Sequence, residues 1–325
     1  MNCQYLEHQV CVRADGQYRL CCVSLESDNT ENIKTHTPEE WLSSDTHRSA
    51  VENFANGVWP DACSTCANKE KLGLDSKRTQ ADLGPGLSHL DIRFGNSCNL
   101  KCISCWEGSS SSIAEEAIEM QKQGIIPINN VLEVPNFNWA SEAAIDQLVK
   151  YPLKEVYLTG GEPMMVKHLP TLLERLDSTV MIRFNTNGTI YNPKLEKLLQ
   201  RFDVVNMAIS IDAIGKRAEY IRYGSDWNTV EANFNRYKEF CRVSITPTVS
   251  VLNEPYMNEV HEWAKQNEVD VHLNYLENPA YLNVKNAKDP KHIKTFKETI
   301  TQLDSFRNIN IKEYLPEVAE AYGIN

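Results

Sequence analysis

The chain has 325 residues, enough for one large core or one core with a small appended domain. Hydrophobic residues make up 42% and charged residues 24%, an ordinary globular composition. The 33 basic against 44 acidic side chains give a formal charge of −11, and no Lys/Arg-rich run appears, so a phosphate-backbone partner is not expected. The first ten residues carry Glu7 and His8 and lack the apolar run of a signal peptide. The longest apolar stretch, Val204–Ile211, is too short to span a bilayer. A cytoplasmic protein without membrane contact is expected. In a reducing compartment the ten cysteines point to metal or redox chemistry rather than disulfides. Nine of them lie within the first 105 residues; Cys241 stands apart and reads as an inert packed thiol.

In chain order, the first 85 residues are short of apolar pattern and rich in cysteine. Asp15-Gly16 sits between two strand-like runs, a hairpin signal. Thr37-Pro-Glu-Glu40 fits a capping box with proline at the first helical position, opening a helix through Trp41. A further helix ends near Asn56-Gly57 and leads to Cys63-Ser-Thr-Cys66. Such a segment needs a staple, which a metal centre would supply. From about Leu87 the chain alternates strands with helices. The expected strands are His89–Phe94, Glu155–Leu158, Val180–Phe184, Val204–Ile211, Val243–Val251 and Val269–Leu273. Between them, Ile113–Gln123 reads as a helix stopped by Gly124, and Ser141 caps the next one. Ser109–Ser112 reads as a short polar loop. Strands alternating with helices imply a parallel sheet with right-handed crossovers. The span suits six βα units rather than eight, so the expected fold is α/β, an open or partial (β/α)6 barrel. The expected domains are a cysteine-rich region over 1–85, the barrel over 86–280, and an extension over 281–325 that covers the barrel mouth.

The strongest chemical signal is Cys98-Asn-Leu-Lys-Cys102-Ile-Ser-Cys105, directly after a predicted strand. Three thiolates so close in sequence wrap a loop around one soft metal centre. Zinc is the competing reading, but a structural zinc site closes with a fourth Cys or His, and no histidine is near this loop in sequence.

This spacing after a first strand resembles the radical S-adenosylmethionine (SAM) superfamily. The resemblance implies a [4Fe–4S] cluster on Cys98, Cys102 and Cys105 with one iron open to SAM. It also implies further elements in order. Leu158-Thr-Gly160-Gly161-Glu162-Pro163 is similar to the family's GGE motif, which implies contact with the SAM amino group. Asn187, in Phe184-Asn-Thr-Asn-Gly188, resembles the Asn-rich turn near the methionine moiety. Ser210 and Asp212 stand where relatives place residues near the SAM carboxylate and ribose, and Arg222 fits the arginine that follows. Each of these has a plainer reading as a turn or helix cap. Ser104 departs from the family, many members of which have an aromatic residue there.

A second resemblance covers the amino-terminal region. Cys3, Gly16, Cys21 and then Cys63-x-x-Cys66 are similar to the Twitch form of the SPASM auxiliary domain, although that domain usually follows the barrel. It implies an auxiliary [4Fe–4S] cluster on Cys3, Cys21, Cys63 and Cys66, with Cys11 and Cys22 as alternative ligands. A four-cysteine set is also a common zinc site. Together the resemblances imply reductive SAM cleavage, hydrogen abstraction from a substrate, oxidoreductase activity, and electron transfer through the auxiliary cluster. An electron donor such as flavodoxin or ferredoxin is implied as a partner. A peptide or protein substrate is slightly preferred over a small molecule. A noncatalytic zinc-binding interaction module is the reading from another class.

Overall fold

The structure is a computed structural model and describes residues 1–25, 30–125, 133–135, 137 and 139–324. Its strands are β1 (Gln9–Val12), β2 (Tyr18–Arg19), β3 (His89–Arg93), β4 (Glu155–Thr159), β5 (Met181–Thr186), β6 (Val205–Ile209), β7 (Arg242–Ile245), β8 (Thr248–Val249), β9 (Asp270–Val271) and β10 (Asn274–Tyr275). Helices follow most of them, and the fold is α/β with a mostly parallel sheet that does not close, in keeping with a partial barrel. The expected strand over 243–251 is divided: Pro247 has no N–H for a ladder, and the run splits around it into β7 and β8.

The chain forms two compact units. One gathers Met1–Asn96, Asn136–Phe184 and Asn192–Val205; the other gathers Ser97–Pro135, Asn185–Tyr191 and Asn206–Asn325. In the first, β1 and β2 pair antiparallel around the Asp15-Gly16 turn, where Gly16 has φ +88° and a side chain would meet Asn32. β1 also pairs in parallel with β3, so the cysteine-rich region contributes a strand to the sheet. β3, β4 and β5 continue it in parallel. One face carries the registered rows Val10–Leu90–Val156–Ile182 and Val12–Ile92–Leu158–Phe184, all buried. Each fully buried side chain of this kind contributes roughly 1.5–3 kcal/mol. The opposite face is polar, with Cys11, Asp91, Tyr157 and Arg183 in one row.

In the second unit β6, β7 and β9 run parallel, and β8 pairs with β10. Its apolar core joins Ile103 of the cysteine loop to Tyr220, Leu252, Phe296, Ile300 and Leu315. The helix Pro290–Arg307 and the segment after it are therefore core elements of this unit. Among the described residues no helix is long and apolar enough to cross a membrane.

Candidate metal and cofactor site

The cysteine loop lies in the second unit and is gripped from three sides. The serines read as a polar loop open a helix instead. Ser110 is the N-cap of Ser111–Lys122, its hydroxyl accepting from the Ile113 N–H at 3.3 Å and donating to the Leu100 carbonyl at 2.7 Å. Ser112 Oγ donates to the Cys98 carbonyl at 2.7 Å. On a second side the Lys101 and Ile103 N–H groups donate to the Tyr223 and Ile221 carbonyls. On the third, Arg307 Nη2 donates to the Lys101 carbonyl at 2.9 Å. Arg307 is itself paired with Glu116 at 2.7 Å, both almost fully buried. Cys102 and Cys105 line a cavity whose wall includes Glu116, Met120, Tyr281 and Arg307. Burial pushes the Cys102 thiol up to about 11, with Arg222 pulling the other way, and pushes Cys105 up to about 12, with Cys102 adding to it. Ser110, Ser112 and Arg307 were not singled out from the sequence. A serine just before a helical pattern is a cap signal that could have found the first; nothing local marks Arg307.

The strand-end residues of the same unit gather around this loop. Asn187 Nδ2 donates to Asn99 Oδ1 at 2.9 Å and lies 4.0 Å from Cys98 Sγ, while its Oδ1 accepts from Thr189. Asp212 is fully buried; Oδ1 accepts from the Thr248 N–H at 2.7 Å and Oδ2 from Arg222 Nη1 at 2.8 Å. Burial opposes the Arg222 charge, but Cys102 and Asp212 more than offset it. Among the described residues Arg222 Nε is a buried donor without a partner. Ser210 directly follows β6, its N–H donating to the Thr186 carbonyl at 2.9 Å.

Gly160-Gly161-Glu162-Pro163 lies in the first unit, at the end of β4. Gly160 and Gly161 have φ of +81° and +39°. A Cβ on Gly160 would stand 2.7 Å from Arg93 Cβ and 3.2 Å from the Gly95 carbonyl, so this backbone tolerates no side chain. Glu162, 1% exposed, caps the short helix Pro163–Met165 by accepting from the Met164 N–H at 3.0 Å.

The first unit also holds the amino-terminal cysteines. Cys3, Cys21, Cys63 and Cys66 line one cavity together with Trp59, Lys77 and Arg78. Cys11 and Cys22 are not part of its wall; Cys11 lies on β1 in register with Asp91. Burial, then Cys3 and Cys66, push the Cys63 thiol up to about 12. Among the described residues no three His, Cys, Asp or Glu side chains converge as tightly as a single ion requires.

The model of the Radical SAM superfamily matches residues 92–264. The chain is 27% identical over 184 residues to the probable GTP 3',8-cyclase of Archaeoglobus fulgidus, covering 56% of this chain and 55% of that one. It is 24% identical over 126 residues to the Fe-coproporphyrin III synthase of Methanosarcina barkeri, covering 38% and 27%. The chain thus spans about half or less of the length of these curated relatives. Among solved structures it is similar to native anSMEcpe with bound AdoMet, at TM-score 0.47 and 18% identity over 67% of this chain and 60% of that one. It is also similar to Streptococcus suis SuiB bound to S-adenosylmethionine, at TM-score 0.40 and 15% identity over 87% and 54%.

Proposed function

The chain belongs to the radical SAM superfamily, and from that premise we propose that Cys98, Cys102 and Cys105 hold a [4Fe–4S] cluster that works with SAM on a substrate. Bound together, such a cluster and SAM supply one-electron cleavage of the sulfonium and a radical able to remove hydrogen from the substrate. The observation that carries this reading is the grip on the loop. The carbonyls of Cys98, Leu100 and Lys101 are each held by a side chain, which supports a loop whose backbone is shaped before any metal arrives. Three thiolates, one short of a closed set, leave a position for the cofactor.

The remaining residues take supporting roles in this reading. Arg222 Nε, buried and without a partner among the described residues, offers a donor for an anionic group of SAM, and Asp212 keeps that guanidinium in place. Ser210 stands at the end of the neighbouring strand, and Asn187 braces the loop through Asn99. Gly160 and Gly161 let a ligand approach the backbone, and Glu162, Pro163 and the cap they form fix that turn. Cys3, Cys21, Cys63 and Cys66 hold the auxiliary [4Fe–4S] cluster. A full set of four thiolates closes it, which suits electron transfer rather than substrate ligation, with a donor of the flavodoxin or ferredoxin class supplying reducing equivalents. Their shared cavity supports this ligand choice over Cys11 and Cys22.

The preference for a peptide or protein substrate gains no support from the relatives. The Archaeoglobus fulgidus protein is named for GTP, a small molecule, and a small-molecule substrate is the reading proposed here. Anaerobic reconstitution followed by metal analysis and incubation with SAM and dithionite tests the whole reading. Brown protein that forms 5′-deoxyadenosine and methionine is expected. Colourless protein with stoichiometric zinc would establish the noncatalytic module instead.

A further inference from the structure

Two buried arginines stand against the cysteine loop of the second unit, and each is matched by a buried carboxylate. Arg222 is paired with Asp212 at 2.8 Å and Arg307 with Glu116 at 2.7 Å; the two carboxylate side chains are 1% and 4% exposed. Both cations reach the same thiol: burial raises Cys102, and Arg222 and Arg307 pull it down. Glu116 and Arg307 share a cavity wall with Cys102 and Cys105, beside Ile103, Ile113 and Met120. Holding the Lys101 carbonyl takes only a donor, which a neutral amide also supplies. The Tyr223 ring, 4.3 Å from the guanidinium, already steadies Arg307. A buried ion pair is an expensive way to do the same, since well-packed apolar side chains in its place are often neutral or stabilising. The carboxylate on the helix Ser111–Lys122 therefore has a use beyond the grip.

That use follows from what a cation does to an iron–sulfur cluster. Reduction adds negative charge, a nearby cation favours the reduced form, and the potential rises. An arginine gripping the loop without a counter-charge would make the cluster easier to reduce and a weaker electron donor. We propose that Glu116 is a positioning residue for the loop's cluster: it seats Arg307 against the Lys101 carbonyl and offsets its charge, keeping the cluster strongly reducing. This rests on the cluster proposed above for Cys98, Cys102 and Cys105. Arginine does not lose its proton in a protein, so removing the carboxylate leaves one buried cation uncompensated. Lys101 Nζ, 3.6 Å from Glu116, is 34% exposed and screened by water far better than Arg307.

An EPR-monitored redox titration of the reconstituted holoprotein tests this, with the spectrum of Cys102→Ala subtracted to isolate the loop's cluster. In Glu116→Gln the ratio of reduced to oxidised cluster at a fixed applied potential should rise at least about tenfold, or about 59 mV for a one-electron couple. Glu116→Asp keeps the charge and should stay close to wild type, and Arg307→Gln should show no rise. A purely structural pair behaves differently, because variants of either partner break the same contact and shift the potential, if at all, in one direction. An unmoved or lowered potential in Glu116→Gln would overturn the proposal. So would an equal rise in Glu116→Asp or Arg307→Gln, or loss of the loop's cluster from Glu116→Gln. Iron content and 5′-deoxyadenosine formation of the wild type are read separately. Wild type without iron on the loop would overturn the cluster and this role together, whereas a loaded wild type with an unmoved Glu116→Gln would overturn this role alone.

Discussion

The two groups of cysteines solve the same problem by different means. Cys98, Cys102 and Cys105 come from one stretch of chain, and their geometry is imposed on the loop's backbone by Ser110, Ser112, Arg307 and the Ile221–Tyr223 stretch. Cys3, Cys21, Cys63 and Cys66 come from three separate segments and meet only because those segments line one cavity. A loop gripped at its carbonyls keeps its shape with or without a ligand. A wall assembled from distant segments depends more on whatever bridges it, since closing those long loops costs entropy that a metal clip offsets. The loop is therefore expected to be a preformed site and the amino-terminal cavity a stapled one.

The largest effect expected is on the loop. Cys98→Ala, Cys102→Ala or Cys105→Ala should abolish 5′-deoxyadenosine formation while the amino-terminal iron remains; undiminished product in any of the three would remove the loop from the chemistry. Next comes the pair Cys63→Ala/Cys66→Ala. It should remove roughly four irons per chain, as a [4Fe–4S] cluster requires, and lower the Tm, while SAM cleavage persists. Unchanged iron content would erase the contrast between the two groups.

Arg307→Gln tests the grip itself. It strips the Lys101 carbonyl of its donor and leaves Glu116 buried, with Lys101 Nζ at 3.6 Å as its remaining cation among the described residues. Breaking a buried pair costs about 3–5 kcal/mol, and the lower end is expected here in urea unfolding of the metal-free protein. A change within about 0.5 kcal/mol, the range of ordinary surface substitutions, would show the loop to be held by the serines and the Ile221–Tyr223 stretch without the arginine. A smaller loss is expected at the end of β4. Glu162→Gln keeps the shape but gives up a charge-assisted contact, so SAM affinity in calorimetric titration should fall at least about tenfold, ~1.4 kcal/mol. The smallest effect is Thr37→Ala in the amino-terminal region. Thr37 Oγ1 accepts from the Glu40 N–H at 3.2 Å while Glu40 Oε2 accepts from the Thr37 N–H at 2.7 Å, and losing that box should cost about 1 kcal/mol in thermal unfolding.

What could be read from the sequence was local. The capping box at Thr37, the cap at Ser141, the Asp15-Gly16 hairpin and the alternating strands all depend on neighbours a few residues apart, and all are present. The parallel pairing of β1 with β3 was not visible, because Gln9 and His89 are joined only by the fold. Pro247 was visible but its consequence, two short strands on different partners, was not drawn. In the candidate site the spacing of Cys98, Cys102 and Cys105 carried its own message. Which of Cys3, Cys11, Cys21 and Cys22 share a wall depended on how segments far apart in sequence come together around one cavity.

The contact between Arg307 and Lys101 also imposes an order on biosynthesis. The two residues are separated by 206 positions, so the loop emerges from the ribosome long before its last support exists. At 5–20 residues per second that delay is about 10–40 s. During it the three thiols are exposed to oxidants and stray ions without the arginine that completes their enclosure, so in the proposed reading the nascent chain gains from delivery of iron and sulfide only after the helix Pro290–Arg307 has docked.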